Sequence, residues 1–239
     1  PGMVQGVADI IPLPLDTPGQ GMADIIKPPP ATPGQGMTDI IKRPPGTPVI
    51  VAGSTHPGEE EIICSVFKEL KKKFPSLVII VAPRNTKRAR EVENIFRASS
   101  FKVCRSGDIE AHTDLPPSQD ADVVVIDRMG ILAGLYRGCD IAFIGGSLLP
   151  FGGHNPLEPA FFGKPVVFGI DMSDFQEIAE TMISHRAAYQ VPDQRALLDV
   201  FTRLLNDSSL ALEMGGNGKD ICDSGKGALR RVINLLEKA

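Results

Sequence analysis

His154, Asn155 and Glu158 stand in the stretch "FIGGSLLPFGGHNPLEPAFFGKPVVFG", which runs from Phe143 to Gly169 and holds few other polar side chains. A glutamate there can accept two hydrogen bonds from a vicinal diol such as a ribose. Asn155-Pro156-x-Glu158 also has the form of a capped helix start, with proline in the first turn. A cap does not call for the pairs Gly145–Gly146 and Gly152–Gly153. They imply that a phosphate or a sugar lies against bare main chain. Arg84 directly follows the apolar run "SLVIIVAP", and its planar guanidinium suits a phosphate. In "GSTHPGEEE", Ser54 and Thr55 join the amides ahead of a helix as an anion site, a geometry that capping also uses. In "DRMGILAG", Met129, Gly130 and Ile131 offer an apolar wall and amides to a flat ring. His56 and His154 can donate to a carboxylate or phosphate, whereas His112 and His185 read as exposed. No GxGxxG follows the first strand and no GxxxxGK[ST] occurs, which disfavours dinucleotide redox and P-loop chemistry.

These residues need a scaffold that brings distant loops to one edge. From Thr47 the chain alternates short β-branched runs with amphipathic segments. The runs are "TPVIVAGS", "SLVIIVA", "FKVCR", "DVVVID", "DIAFIGG" and "KPVVFG". Helices are predicted over "HPGEEEIICSVFKELKKKF", with Pro57 in the first turn, and over "TKRAREVENIFRAS", "GILAGLYRG", "NPLEPAFFG", "DFQEIAETMIS", "DQRALLDVFTRLLND" and "GALRRVINLLEK". Such alternation predicts a mostly parallel, doubly wound α/β sheet of Rossmann type, whose ligands bind at the carboxyl ends of the strands. The loops after Ala52, Ala82, Asp127 and Ile144 are then the ones that meet, and they hold the residues named above.

Residues 1–46 differ. "GVADII", "GMADII" and "GMTDII" recur every 15 residues from Gly6, and the segment carries 10 of the 21 prolines. Prolines that close off each short apolar patch predict a flexible or partly extended tail, separate from the domain at 47–239. The 239 residues have a net charge of −4, no tryptophan and two tyrosines, which argues against a nucleic-acid partner. Cys64, Cys104, Cys139 and Cys222 are widely spaced and read as buried reduced thiols, not a zinc site or a disulfide framework. No apolar run is long enough to span a bilayer. Lys71, Lys72 and Lys73 with Lys87, Arg88 and Arg90 make a basic surface, by default solvated and otherwise suited to anionic lipid headgroups.

"STHPGEEE", "PRNTKRAREVE", "DRMGIL" and above all "GGS…GGHNPLEP" resemble the nucleotide-sugar half of the 3-deoxy-D-manno-octulosonic acid (Kdo) transferases, over roughly residues 48–238. The resemblance implies one half of a GT-B glycosyltransferase. It implies CMP-Kdo as donor, a lipid A precursor as acceptor, no metal or other cofactor, and work at the cytoplasmic face of a bacterial inner membrane. By matching motif, Arg84 would meet the nucleotide phosphate and residues 129–131 would line the cytidine. Gly152, Gly153 and Asn155 would approach the phosphate or Kdo, and Glu158 would hold the ribose. Two positions depart from the family pattern: Asn85 replaces a histidine after "PR", and Arg128 and Ile131 alter D-T-M-G-E-L. The family's catalytic base lies in an N-terminal acceptor domain whose place the repeats occupy, so the chain alone is expected to be inactive. The alternatives are a non-catalytic nucleotide or phosphosugar module, or a nucleotide-sugar epimerase of similar fold.

Overall fold

The computed structural model describes residues 46–111 and 120–236. The repeats up to residue 45 and His112 lie outside the described residues. Seven strands form one sheet: β1 (Val49–Thr55), β2 (Val78–Pro83), β3 (Val103–Arg105), β4 (Val123–Val125), β5 (Ile141–Ile144), β6 (Val166–Phe168) and β7 (Ala188–Gln190). Their order is β3-β4-β2-β1-β5-β6-β7, and every neighbouring pair is parallel. The chain builds outward from β1 to one edge, then returns to β5 on the other side of β1. The reversal between β1 and β5 leaves a crevice beyond their carboxyl ends, where ligands of open α/β sheets bind.

Among the described residues eight α-helices cover the sheet: α1 (Glu59–Lys73), α2 (Ala89–Ala98), α3 (Ser106–Ala111), α4 (Leu132–Gly138), α5 (Leu157–Phe161), α6 (Gln176–Ser184), α7 (Gln194–Asn206) and α8 (Ser208–Leu236). Strand side chains alternate between faces, and β1 shows how both faces are used. Ile50 and Ala52 pack with Ile63, Val66, Phe67 and Leu70 of α1, Val92 and Phe96 of α2, and Leu197 and Phe201 of α7. Val49 and Val51 pack with Leu135 and Tyr136 of α4, Leu157 and Ala160 of α5, and Ile178 and Met182 of α6. The doubly wound architecture read from the sequence is the one observed. All four cysteines are buried.

Two elements were not predicted, and a third is longer than predicted. β7, Ala188-Tyr189-Gln190, has no β-branched residue and ends on an exposed glutamine, unlike the equally short β4 and β6. α3 is six residues long, too short for a periodic pattern; Asp127, from the end of β4, holds its start by accepting from the Gly107 N–H at 3.0 Å and the Ser106 hydroxyl at 2.6 Å. α8 starts at Ser208, well before the predicted segment, and runs through Gly215, Gly216 and Gly218. A Cβ at Gly215 would lie 2.0 Å from the Gly163 carbonyl oxygen, so glycine there lets the helix touch the turn after α5.

Candidate functional site

The β1–α1 and β5–α5 loops meet over the β1/β5 crevice, and a carboxylate joins them. Glu59 is fully buried and accepts four backbone N–H groups: His56 at 2.9 Å, Gly146 at 2.7 Å, and Ser147 and Leu148 at 3.0 Å each. Burial pushes this carboxyl above its ordinary value, while the four N–H bonds pull against that shift. Its neighbour Glu60 is also fully buried. It accepts from the Thr55 hydroxyl at 2.9 Å and pairs with Arg88 at 2.9 Å. Both glutamates escaped the sequence reading, which took them as acidic residues favouring a helix end. Their helical phase held the signal: Glu59 precedes Ile63 by four residues and Glu60 precedes Cys64 by four, and both followers face the core.

These contacts correct two expectations about the first loop. The helix starts at Glu59, after Gly58 at φ 91°, so Pro57 lies outside it. Thr55 is fully buried, with its hydroxyl committed to Glu60, and therefore serves the frame and not an anion. Ser54 stays at the edge, half-buried and at φ 56°, a conformation in which a non-glycine residue is strained.

The glycine pairs have a different cause from the one expected. A Cβ at Gly145 would fall 2.5 Å from the Ser54 carbonyl oxygen and 2.6 Å from the Thr55 Cα, so the object lying against it is the end of β1. Gly152 and Gly153 have φ of 84° and 74°, and Asp174 and Met172 occupy the space their side chains would take. Their N–H groups are engaged, Gly152 with Asp171 at 2.7 Å and Gly153 with the Gly146 carbonyl at 2.8 Å. The protein's own packing thus accounts for the glycines, and these two amides are not free for a phosphate.

Just ahead of α5, whose N-cap is Pro156, the Asn155 side-chain oxygen accepts from the Leu157 N–H at 3.0 Å. Glu158 does not complete a capping box. Among the described residues its carboxylate makes no hydrogen bond, although the residue is only partly exposed. Burial raises its pKa and Arg84 opposes that shift, so the two groups share one electrostatic neighbourhood. Arg84 is exposed beyond β2, held by its own N–H to the Thr55 carbonyl at 2.9 Å. Among the described residues its guanidinium forms no ion pair.

His56 and His154 lie within the electrostatic reach of Arg84. Their Nε2 atoms are 2.9 Å apart, and the His56 ring stacks on Phe151 with centroids 4.4 Å apart. Burial, and after it the charge of Arg84, lowers the pKa of His56; burial, His56 and Arg84 together bring His154 down to about 4. Next along the edge, Met129 is 64% exposed. Gly130 is at φ 85° with open space around its Cα, and Ile131 packs on the core just ahead of α4. α4 itself packs on β1 and α5, which places residues 129–131 on the same edge as Glu158. Asn85 caps the short 3-10 turn after Arg84 by accepting from the Lys87 N–H at 3.1 Å.

The remaining candidates lie elsewhere. His185 is exposed at the end of α6. Half of the basic surface is paired internally: Lys71 with Asp122, Lys72 with Glu69, and Arg88 with Glu60 and Glu91. Among the described residues no cluster of three His, Cys, Asp or Glu side chains suits a metal ion, and no helix is long and apolar enough to cross a membrane.

Comparison with known proteins agrees with this geometry. The chain is 34% identical to the 3-deoxy-D-manno-octulosonic acid transferase of Haemophilus influenzae over 188 residues, which are 78% of this chain and 43% of that protein. It is 37% identical to the enzyme of the same name from Aquifex aeolicus over 157 residues, 66% of this chain and 42% of that protein. The chain therefore spans less than half the length of these curated relatives. Among solved structures, the C-terminal CMP-Kdo binding domain of WaaA from Acinetobacter baumannii matches with a TM-score of 0.67 and 27% identity, over 74% of this chain and 90% of that one. No family model matches. Sequence and fold together place the chain in the 3-deoxy-D-manno-octulosonic acid transferase family, as a GT-B-type Rossmann-like domain that corresponds to the C-terminal domain of the Acinetobacter protein.

Proposed function

We propose that this domain binds CMP-Kdo and presents it for transfer of Kdo to a lipid A precursor. The observation that carries the reading is the pair of unsatisfied charges at the β1/β5 crevice: exposed Arg84 with no ion pair and half-buried Glu158 with no hydrogen bond. Water can serve the exposed guanidinium, but a half-buried carboxylate without a hydrogen bond is unusual, and a ligand hydroxyl would complete it while its phosphate meets Arg84. In this reading Arg84 meets the phosphate through its planar fork, and Glu158 accepts from the ribose hydroxyls. Met129 and the Gly130–Ile131 backbone face the cytosine ring. Ser54 and Asn155 border the sugar, while Gly152 and Gly153 shape the loop that carries His154. The donor is held without a metal ion or other cofactor.

Transfer also needs a base within hydrogen-bond reach of the attacking hydroxyl. That group and the acceptor site belong to the part of the relatives' length that this chain does not match. The reaction takes place at the cytoplasmic face of the inner membrane, and any contact with anionic lipid falls to Lys73, Lys87 and Arg90. The family relationship favours this assignment over a non-catalytic binding module or an epimerase. Calorimetry with CMP tests it. The chain should bind CMP, and Glu158→Ala and Arg84→Ala should each weaken binding by about 1.5–3 kcal/mol, roughly 10- to 100-fold. Undiminished affinity in both variants would refute the assignment.

A further inference from the structure

The two rings that roof the crevice come from loops 98 residues apart, yet they share one short hydrogen bond between Nε2 atoms, at 2.9 Å. Both rings also rest on Gly146, where an added Cβ would lie 3.3 Å from the Cδ2 atom of each. Such a bond requires one proton between the rings, given by one and accepted by the other. The neutral pair then exposes one Nδ1–H donor and one bare Nδ1. A single added proton converts the bare Nδ1 into a second donor and supplies a positive charge, with the ring–ring bond intact. A second added proton would set two N–H groups against each other and break it. The pair is therefore a unit that can gain one charge without moving.

We infer that the His56–His154 pair takes up one proton when a phosphate-bearing nucleotide enters the crevice, so that the rings present two outer N–H donors to the bound anion. This rests on the nucleotide-binding reading above. The charged groups around the pair set the balance. Arg84 beyond β2 and Arg88 in the 3-10 turn oppose protonation, and Asp174 beyond β6 favours it. Glu59 is already occupied by four N–H groups, and Glu158 faces Arg84. Without a ligand, burial and the arginines together keep the pair neutral. An anion that neutralises Arg84 removes the main opposing charge and adds an attractive one.

The test is calorimetric titration of the full chain with the 5′-methyl phosphodiester of cytidine, a probe with no phosphate proton to gain or lose near neutrality. Titrations in buffers of differing ionisation enthalpy, from pH 7.5 to 5.5, report the protons exchanged. The expected result is net proton uptake, with affinity rising two- to fivefold per unit of falling pH. His154→Asn and His56→Gln should still bind but lose both the uptake and the pH dependence, with thermal melts confirming that they fold. Wild-type binding that is independent of pH, with no uptake, would overturn the proposal and leave the nucleotide site standing. Absence of any binding by the wild type would overturn the nucleotide reading and this inference with it.

Discussion

Glu158 shows at the scale of one residue how a site can work against the stability of its own fold. Its carboxylate is half-buried and unpaired, and burial holds its pKa above the ordinary value. A raised carboxyl pKa means that the folded chain holds the proton more tightly than the unfolded one. Stability is then lost as pH rises from the unfolded value through the folded one. Glu158→Gln should therefore raise the thermal midpoint of the ligand-free protein at neutral pH by a degree or more, while weakening CMP binding. A lower midpoint in this variant would show that the carboxylate has a structural partner after all. The sequence marked Glu158, Arg84 and Asn155 as residues to inspect because each stands where a polar group is unusual. It did not mark Glu59, because a glutamate in a first helical turn already has an ordinary explanation in the helix dipole.

At the scale of elements, the Glu59 clamp joins α1 to the β5–α5 loop. Removing the carboxylate leaves buried N–H groups at Gly146, Ser147 and Leu148 without an acceptor, each costing about 1–3 kcal/mol. Glu59→Ala should lower stability by about 3 kcal/mol or more in urea denaturation, and CMP affinity should fall because His154 and Asn155 ride on the same loop. Gly145→Ala probes the contact between β1 and β5 themselves. Its Cβ would meet main chain at 2.5 Å, which cannot swing aside as a side chain would. A loss of roughly 1–3 kcal/mol is expected, and a neutral outcome would mean that the two strand ends are less closely joined than described. Most element types were legible from periodicity. The first half of helix α8 was not, because Gly215, Gly216 and Gly218 fall inside it and only the close approach to Gly163 explains them.

For the whole molecule, pH is the broadest lever. His154 binds a proton near 6.5 when unfolded but only near 4 when folded. Between these values the unfolded chain holds more protons, so stability is complete above about pH 6.5 and declines as pH falls towards 4. Because the ring is half-exposed and screened, the loss attributable to it should be about 1–2 kcal/mol, below what the full shift would give. Denaturation midpoints of the wild type and His154→Asn should converge across that window. Catalysis makes a separate demand, since transfer depends on holding donor and acceptor together. The chain alone should bind nucleotide without measurable transfer, and mixing with a separately produced acceptor half of a relative should restore Kdo transfer to lipid A precursor. Transfer by the chain alone would show that it contains its own base.

The sequence by itself determined the doubly wound sheet, the edge on which the loops gather and the polar residues that stand there. Those follow from local periodicity and from residue types that punctuate a chain. Only the tertiary structure decided why the glycines are glycines, which glutamates are buried, and that His56 and His154 share a proton. Periodicity reports which face of an element is covered, but not which distant amide, carbonyl or ring arrives to cover it.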